Sequence, residues 1–153
     1  MPYSVKRFRF RLQTLLNIEE NRERQSQIAF TKAVHELRQE EAVLASYQQE
    51  QQEAQGTMLQ EIRQGASPRQ LNAYDAYFGD LKERMKAQQA RIAEAGKKAE
   101  EAQQELAERT KQRKILEKLR ERARKAYDEE TRQVENTFLD EVGAVMSARK
   151  MME

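Results

Sequence analysis

The sequence contains no cysteine and no tryptophan, a single histidine, two prolines and five glycines. The missing thiols exclude a disulfide framework, a thiolate metal site and a cysteine nucleophile, and they suit a reducing compartment. His35 has no second histidine, cysteine or serine–histidine spacing to work with, so it reads as a side chain on a solvated helix face. No apolar run approaches the roughly 20 residues of a membrane span. Met1 to Arg11 carries basic residues with no apolar stretch behind them, so no Sec-type signal peptide is expected. A phosphate-binding glycine loop is also missing, because Gln64-Gly65-Ala66-Ser67 lacks the lysine and the spacing. Adjacent acids such as Glu40-Glu41 and Glu100-Glu101 point to different helix faces, whereas acid–base or metal chemistry needs groups converging on one cavity. The expectation is a protein that is no enzyme and holds no cofactor, metal or small-molecule substrate.

What is present is charge. Of 153 residues 35% are charged and 38% hydrophobic, and mean hydropathy is −1.03. Such a chain cannot wrap a thick globular core. Disorder is one outcome of this composition. A long coiled coil is the other, since Ala, Glu, Lys, Leu, Arg and Gln dominate. Periodicity decides for the coiled coil.

Pro68 is the one proline away from the N-terminus. Gly65 before it can take the left-handed conformation that closes a helix, Ser67 can cap the next one, and Pro68 suits a first helical position. The stretch reads as the tip of a helical hairpin. Ahead of it a seven-residue series runs Leu16, Glu23, Phe30, Leu37, Leu44, Gln51, Met58, with a companion series Glu19, Ser26, Ala33, Glu40, Tyr47, Ala54, Glu61. That is an a/d seam with polar interruptions. After the turn the series are Leu71, Phe78, Met85, Ile92, Ala99, Leu106 and Tyr74, Leu81, Gln88, Ala95, Ala102. The register then meets Arg113 and Arg120, and the apolar positions move to Ile115, Leu116, Leu119, Ala123 and Tyr127, a slip that resembles a stutter. The fold class expected is all-α: one domain over 1–153, a long two-helix antiparallel coiled-coil hairpin. The first helix covers about 12–64, the turn 65–67, and the second, longer helix 68–148. At about 1.5 Å per residue the helices would span roughly 80 and 120 Å. Gly56 is a place where the first helix could loosen.

A fold-back at this turn puts residues whose numbers sum to about 131–133 opposite one another, such as Leu44 and Gln88, Tyr47 and Met85, or Ala54 and Phe78. Residues after about 128 then lack a partner within the chain, although they include Val134, Phe138, Leu139, Val142, Val145 and Met146. Charge is uneven along this plan. Residues 109–125 carry nine basic side chains against Glu117 and Glu121, a net +7, while 36–62 and 128–141 each carry a net −5. The basic block fits phosphates, or an acidic protein surface, or a solvated face with intrahelical ion pairs. Tyr47, Tyr74, Tyr77 and Phe78 gather near the turn. Tyr74 and Phe78 occupy seam positions, whereas Tyr77 does not, and exposed aromatics on a helix favour binding.

Three stretches give the chain a family resemblance: Phe8-Arg9-Phe10-Arg11-Leu12-Gln13-Thr14-Leu15-Leu16, then Leu71-Asn72-Ala73-Tyr74-Asp75-Ala76-Tyr77-Phe78-Gly79-Asp80-Leu81, then Leu116 to Ala123 with Tyr127 and Leu139-Asp140-Glu141. In order and spacing the chain resembles the flagellar export protein FliJ family over nearly its whole length. The resemblance implies a two-helix coiled coil like that of the γ stalk of rotary ATPases. It implies a cytoplasmic, non-enzymatic stalk of the type III export apparatus, peripherally associated with the inner membrane at the flagellar base. The partners it implies are the hexameric export ATPase, the membrane export gate protein and export chaperones. The matching ATPase-binding candidates are Phe8, Arg9, Phe10, Arg11, Arg113, Leu119, Arg120 and Arg124. Those for the gate are Leu44, Tyr47, Tyr77 and Leu81, with polar Gln51 and Gln88 beside them. Alternative readings are an injectisome-type secretion stalk, a nucleic-acid-binding coiled coil using 109–125, and a self-associating coiled coil. Against nucleic acid, only Tyr127 is available for base stacking.

Overall fold

The computed structural model describes residues 6–152, so Pro2 lies outside the described residues. The fold is all-α, an antiparallel two-helix hairpin in which α1 is Gln13–Arg63 and α2, the longer, is Pro68–Met152. The turn is built as its residue types require. Gly65 sits at φ +93°, a left-handed conformation that costs glycine nothing. Its N–H donates to the Ile62 carbonyl at 3.1 Å. At the start of α2 the capping is reciprocal: the Gln70 N–H donates to Ser67 Oγ at 3.2 Å, and the Ser67 N–H donates to Gln70 Oε1 at 2.8 Å. Pro68 takes the first helical position, where its missing N–H is not needed.

The chain packs as two compact units, Arg24–Ala107, which contains the turn, and Met1–Glu23 with Glu108–Glu153, which contains the chain ends. In the turn unit Leu81 is the most deeply buried side chain, 2% exposed, and Ala99 is also buried. Gln88 is buried as well, and its amide Nε2 donates across the seam to the Glu40 carbonyl at 2.8 Å and to the Glu40 carboxylate. That pairing makes a polar seam residue tolerable, because an unmet buried donor would cost about 1–3 kcal/mol. Leu37 Cδ1 lies 4.0 Å from where a Cβ on Gly96 would stand, an ordinary van der Waals separation, so Gly96 faces the opposite helix without being required for its approach. In the terminal unit Leu16 and Leu116 are the buried apolar side chains among the described residues.

Every member of the two α1 series, from Leu16 to Met58 and from Glu19 to Glu61, is buried or half-buried. The heptad seam is therefore the packing face. Two expectations need correction. Helix α1 does not loosen at Gly56 but runs unbroken to Arg63. Ala54 and Met58 on either side are half-buried in the seam, and that packing outweighs a cost of about 1 kcal/mol for one glycine. The stutter near Arg113 is also absent. Ile115 and Leu119 are 46% and 40% exposed, whereas Arg109, Arg113, Leu116, Ala123, Tyr127 and Val134 continue the original seven-residue series as buried or half-buried side chains. The arginines can occupy seam positions because α1 supplies Glu19 and Glu23 to meet them. Helix α2 continues past Ala148 to Met152.

Candidate functional site

The terminal unit joins the lead-in before α1 to the basic block of α2. Residues 6–10 are not helical, and the Phe10 carbonyl accepts the Gln13 N–H at 3.1 Å as α1 begins. Phe8 is half-buried against Tyr127, ring centroids 5.4 Å apart. The Arg120 and Arg124 guanidinium carbons lie 5.6 and 5.0 Å from the Phe8 centroid, and Arg124 is also 5.4 Å from that of Tyr127. Such contacts contribute about 0.5–1 kcal/mol each at exposed sites. Arg120 Nε donates to Gln13 Oε1 at 3.0 Å, and Arg124 pairs with Asp128 at 3.2 Å. The guanidiniums are thus held in place with one face on an aromatic ring. A groove of about 560 Å³ opens beside them, lined by Leu16, Glu20, Glu117 and Lys125 among others.

Next to this cluster lies a ladder of ion pairs in the seam. Arg113 Nε donates to Glu23 at 2.7 Å while its Nη1 pairs with Glu117 at 2.7 Å. Glu19, only 7% exposed, accepts from Arg22 at 3.0 Å, and its second oxygen lies 3.9 Å from Arg109 Nη1. The Arg113 hydrogen bond holds the Glu23 carboxyl below the usual carboxylate range, against the opposing effect of burial. The same contact with Glu23 raises Arg113. With Lys125 on Glu121, much of the basic block is therefore answered within the chain, whereas Lys111, Lys118 and Arg122 form no ion pair among the described residues.

Of the terminal-unit candidates, Phe8, Phe10 and Arg113 are half-buried, while Arg9, Arg11, Leu119, Arg120 and Arg124 are exposed. Phe8, Arg120 and Arg124 form one cluster. Arg113 belongs to the ion-pair ladder instead. The partners that sequence reasoning missed are Glu19, Glu23, Gln13 and Tyr127. A signal for the two acids existed, since both occupy seam positions opposite 109–113 under the hairpin's numbering.

The turn unit holds the second surface. Tyr74 stacks on Phe78 at 6.2 Å, and Tyr77 meets the edge of the same ring at 5.7 Å. The Tyr77 hydroxyl donates to Glu50 Oε1 at 2.6 Å, which raises its pKa above the usual phenol value. Tyr74 is raised too, first by desolvation and then by its hydrogen bond with Glu61. Ala54, Thr57, Ala73, Tyr74 and Tyr77 line an open groove of about 370 Å³. Leu44, Tyr47 and Gln51 are half-buried and Tyr77 is exposed. Leu81 and Gln88 lie inside the seam, so a partner reaches them only through the side chains above. His35 is exposed on α1, and among the described residues no three His, Cys, Asp or Glu side chains group as a metal site would need. No described helix is long and apolar enough to cross a membrane.

A family model described as "Flagellar FliJ protein" matches residues 8–152. No curated protein and no solved structure matches the chain.

Proposed function

The chain belongs to the flagellar FliJ protein family, and from that premise we propose that it is a non-enzymatic stalk component coupling the flagellar export ATPase to the export gate. The terminal unit is the ATPase-facing part in this reading. Phe8, Arg120 and Arg124 are pinned together, and Arg9, Arg11 and Leu119 stand exposed in the same unit. Pre-ordered guanidiniums beside an apolar side chain suit a protein surface that presents carboxylates around an apolar pocket. The Arg–Phe8–Arg arrangement is the observation that carries this half of the proposal. Because a single chain contacts the subunits of a hexamer unequally, it can favour ring assembly and bias which subunits hydrolyse ATP.

The turn unit is the gate-facing part, through Leu44, Tyr47 and Tyr77, with Leu81 supporting them from the seam. Export chaperones are the remaining partners. The place of action is the cytoplasmic side of the inner membrane at the flagellar base, held there by protein contacts. The test measures ATP hydrolysis by the cognate hexamer with the wild-type chain, with Arg9→Glu/Arg120→Glu, and with Tyr47→Ala/Tyr77→Ala. Stimulation by wild type and by the tyrosine variant, but not by the arginine variant, is expected. Pull-down of the gate protein should show the converse pattern. Absence of both stimulation and co-elution with wild type would sink the proposal.

A further inference from the structure

The basic block has an outward side that neither the seam nor the Phe8 cluster uses. At about 100° per residue, Lys111, Lys114, Lys118, Arg122 and Lys125 fall within an arc of roughly 80° on α2. The seam residues Leu116 and Tyr127 lie about 160–180° from the centre of that arc, so the stripe points away from α1. All five side chains are exposed. Between residues 111 and 126, the sector within roughly 60° of Lys111 on either side contains no acid. Besides the five cations it holds only Ala126 and Ile115, the latter 46% exposed. Lys111, Lys118 and Arg122 form no ion pair, hydrogen bond or ring contact among the described residues. Lys114 acts on Glu23 only through its charge. Lys125 reaches Glu121 at 3.6 Å, with both side chains well exposed, a pairing that binds neither tightly.

We propose that this stripe binds an anionic lipid surface, with α2 lying flat on the headgroups through Lys111, Lys114, Lys118, Arg122 and Lys125. Clusters of Lys and Arg on one helix face are drawn to anionic headgroups. The row is nearly straight and about 21 Å long, so all five cations reach a plane at once. The phosphates of a duplex follow a curved path and would meet only some of them, and the sector carries no aromatic ring on which a base could stack. Four of the five are lysines, which lack the planar fork that fixes a carboxylate or phosphate. Arg113, Arg120 and Arg124 are held by Glu23, Gln13 and Phe8, whereas the stripe is not pre-ordered. Unheld charges on flexible stems suit a fluid layer whose headgroups rearrange to meet them, rather than a protein surface with carboxylates in fixed places. Ile115 can press between headgroups while the lysine stems stay extended beside it. No described helix can cross the bilayer, so the contact is superficial. It adds a lipid contact to the protein contacts of the export reading and does not depend on them.

Co-sedimentation of the full chain with vesicles tests it, using phosphatidylcholine with phosphatidylglycerol at roughly 7:3 against phosphatidylcholine alone. Neither ATPase nor gate protein takes part, so the outcome is separate from that of the export reading. Each cation at an anionic surface contributes a factor of about five, so half-binding is expected below about 1 mM accessible lipid, with none to neutral vesicles. Binding should fall steeply between about 0.1 and 0.5 M salt. Lys111→Gln/Lys114→Gln/Lys118→Gln/Arg122→Gln should weaken it by about 100-fold or more. Lys82→Gln/Lys86→Gln/Lys97→Gln/Lys98→Gln removes the same charge from exposed positions in the turn unit and should bind within about three-fold of wild type. Far-ultraviolet circular dichroism matching wild type shows that both variants fold. A wild-type chain that ignores anionic vesicles, or binds neutral ones equally, overturns the proposal. So does a stripe variant that binds like wild type, or an equal loss in both variants. Tighter binding to a DNA duplex of about 20 base pairs than to the anionic vesicles overturns it too, and assigns the stripe to nucleic acid.

Discussion

Breaking the Glu23–Arg113 pair should cost more than a surface ion pair and less than a fully buried one. Arg113 is held by two carboxylates at 2.7 Å, and its side chain and that of Glu23 are 21% and 18% exposed. Solvent-exposed pairs contribute about 0.2–1 kcal/mol. Hydrogen bonds to charged groups shielded from solvent reach about 1.5–3 kcal/mol. With roughly four-fifths of each side chain covered, Arg113→Gln should cost about 1–2 kcal/mol, or roughly 2–8 °C in Tm for a chain of this size. The sign of the pH dependence follows from the depressed Glu23 pKa. Its stabilising contribution is complete above the unfolded carboxyl value, about 4.3. It is lost as pH falls through the lower folded value. The Tm gap between wild type and Arg113→Gln should therefore be full at neutral pH and close in acid. Thermal melts followed at 222 nm, with Glu23→Gln and the double variant completing the cycle, should give a coupling of about 1 kcal/mol. A coupling within about 0.3 kcal/mol of zero at neutral pH would refute the argument. A gap that persists unchanged to strongly acid pH would refute it as well.

Leu81→Ala should lower stability by about 2–4 kcal/mol, read from the same melts, because the side chain is almost fully enclosed in a seam with few other buried apolar groups. The two glycines flanking the end of α1 should respond with opposite signs. Gly65→Ala, at φ +93°, should destabilise by about 1–2 kcal/mol, whereas Gly56→Ala, helical and with open space around its Cβ, should stabilise by about 1 kcal/mol. In an ultraviolet titration of the phenols, Tyr74 and Tyr77 should ionise above the ordinary tyrosine range, and Glu50→Gln should lower Tyr77 while leaving Tyr74 in place.

The seam was legible because heptad spacing survives polar interruption. Glu19, Ser26, Glu40 and Gln51 keep their places in the α1 series, and all are buried or half-buried. The turn was legible for a different reason: Gly65, Ser67 and Pro68 each have one backbone task, and they stand in the order that performs it. What misled the reading was hydropathy at Arg109 and Arg113. Apolar Ile115 and Leu119 nearby suggested a shifted register, although both are largely exposed. An arginine's place in a seam depends on what the opposite helix offers. That information lies about 90 residues away in sequence, at Glu19 and Glu23. The candidate surface was only half legible on the same ground. Tyr77 is exposed as its off-seam position suggests, but its hydroxyl is committed to Glu50, and Leu81 is wholly inside.

These polar seam residues supply something that leucine and alanine cannot. The buried apolar side chains among the described residues are Leu16, Leu81, Ala99 and Leu116. An interface of small and aliphatic residues tolerates a slip of one heptad, because one alanine replaces another at little cost. A slip here would separate Gln88 from Glu40 and Arg113 from Glu23, leaving a buried amide and a shielded carboxylate unmet. Each orphaned group would cost about 1–3 kcal/mol. Few apolar contacts therefore hold the helices together, but polar ones decide which residues face each other. That distinction matters for Phe8, Arg120, Arg124 and Tyr127, which come from distant parts of the sequence and meet only in one register. The Glu23–Arg113 pair thus acts on the proposed ATPase-facing cluster without belonging to it, by fixing the alignment that assembles the Phe8 contacts.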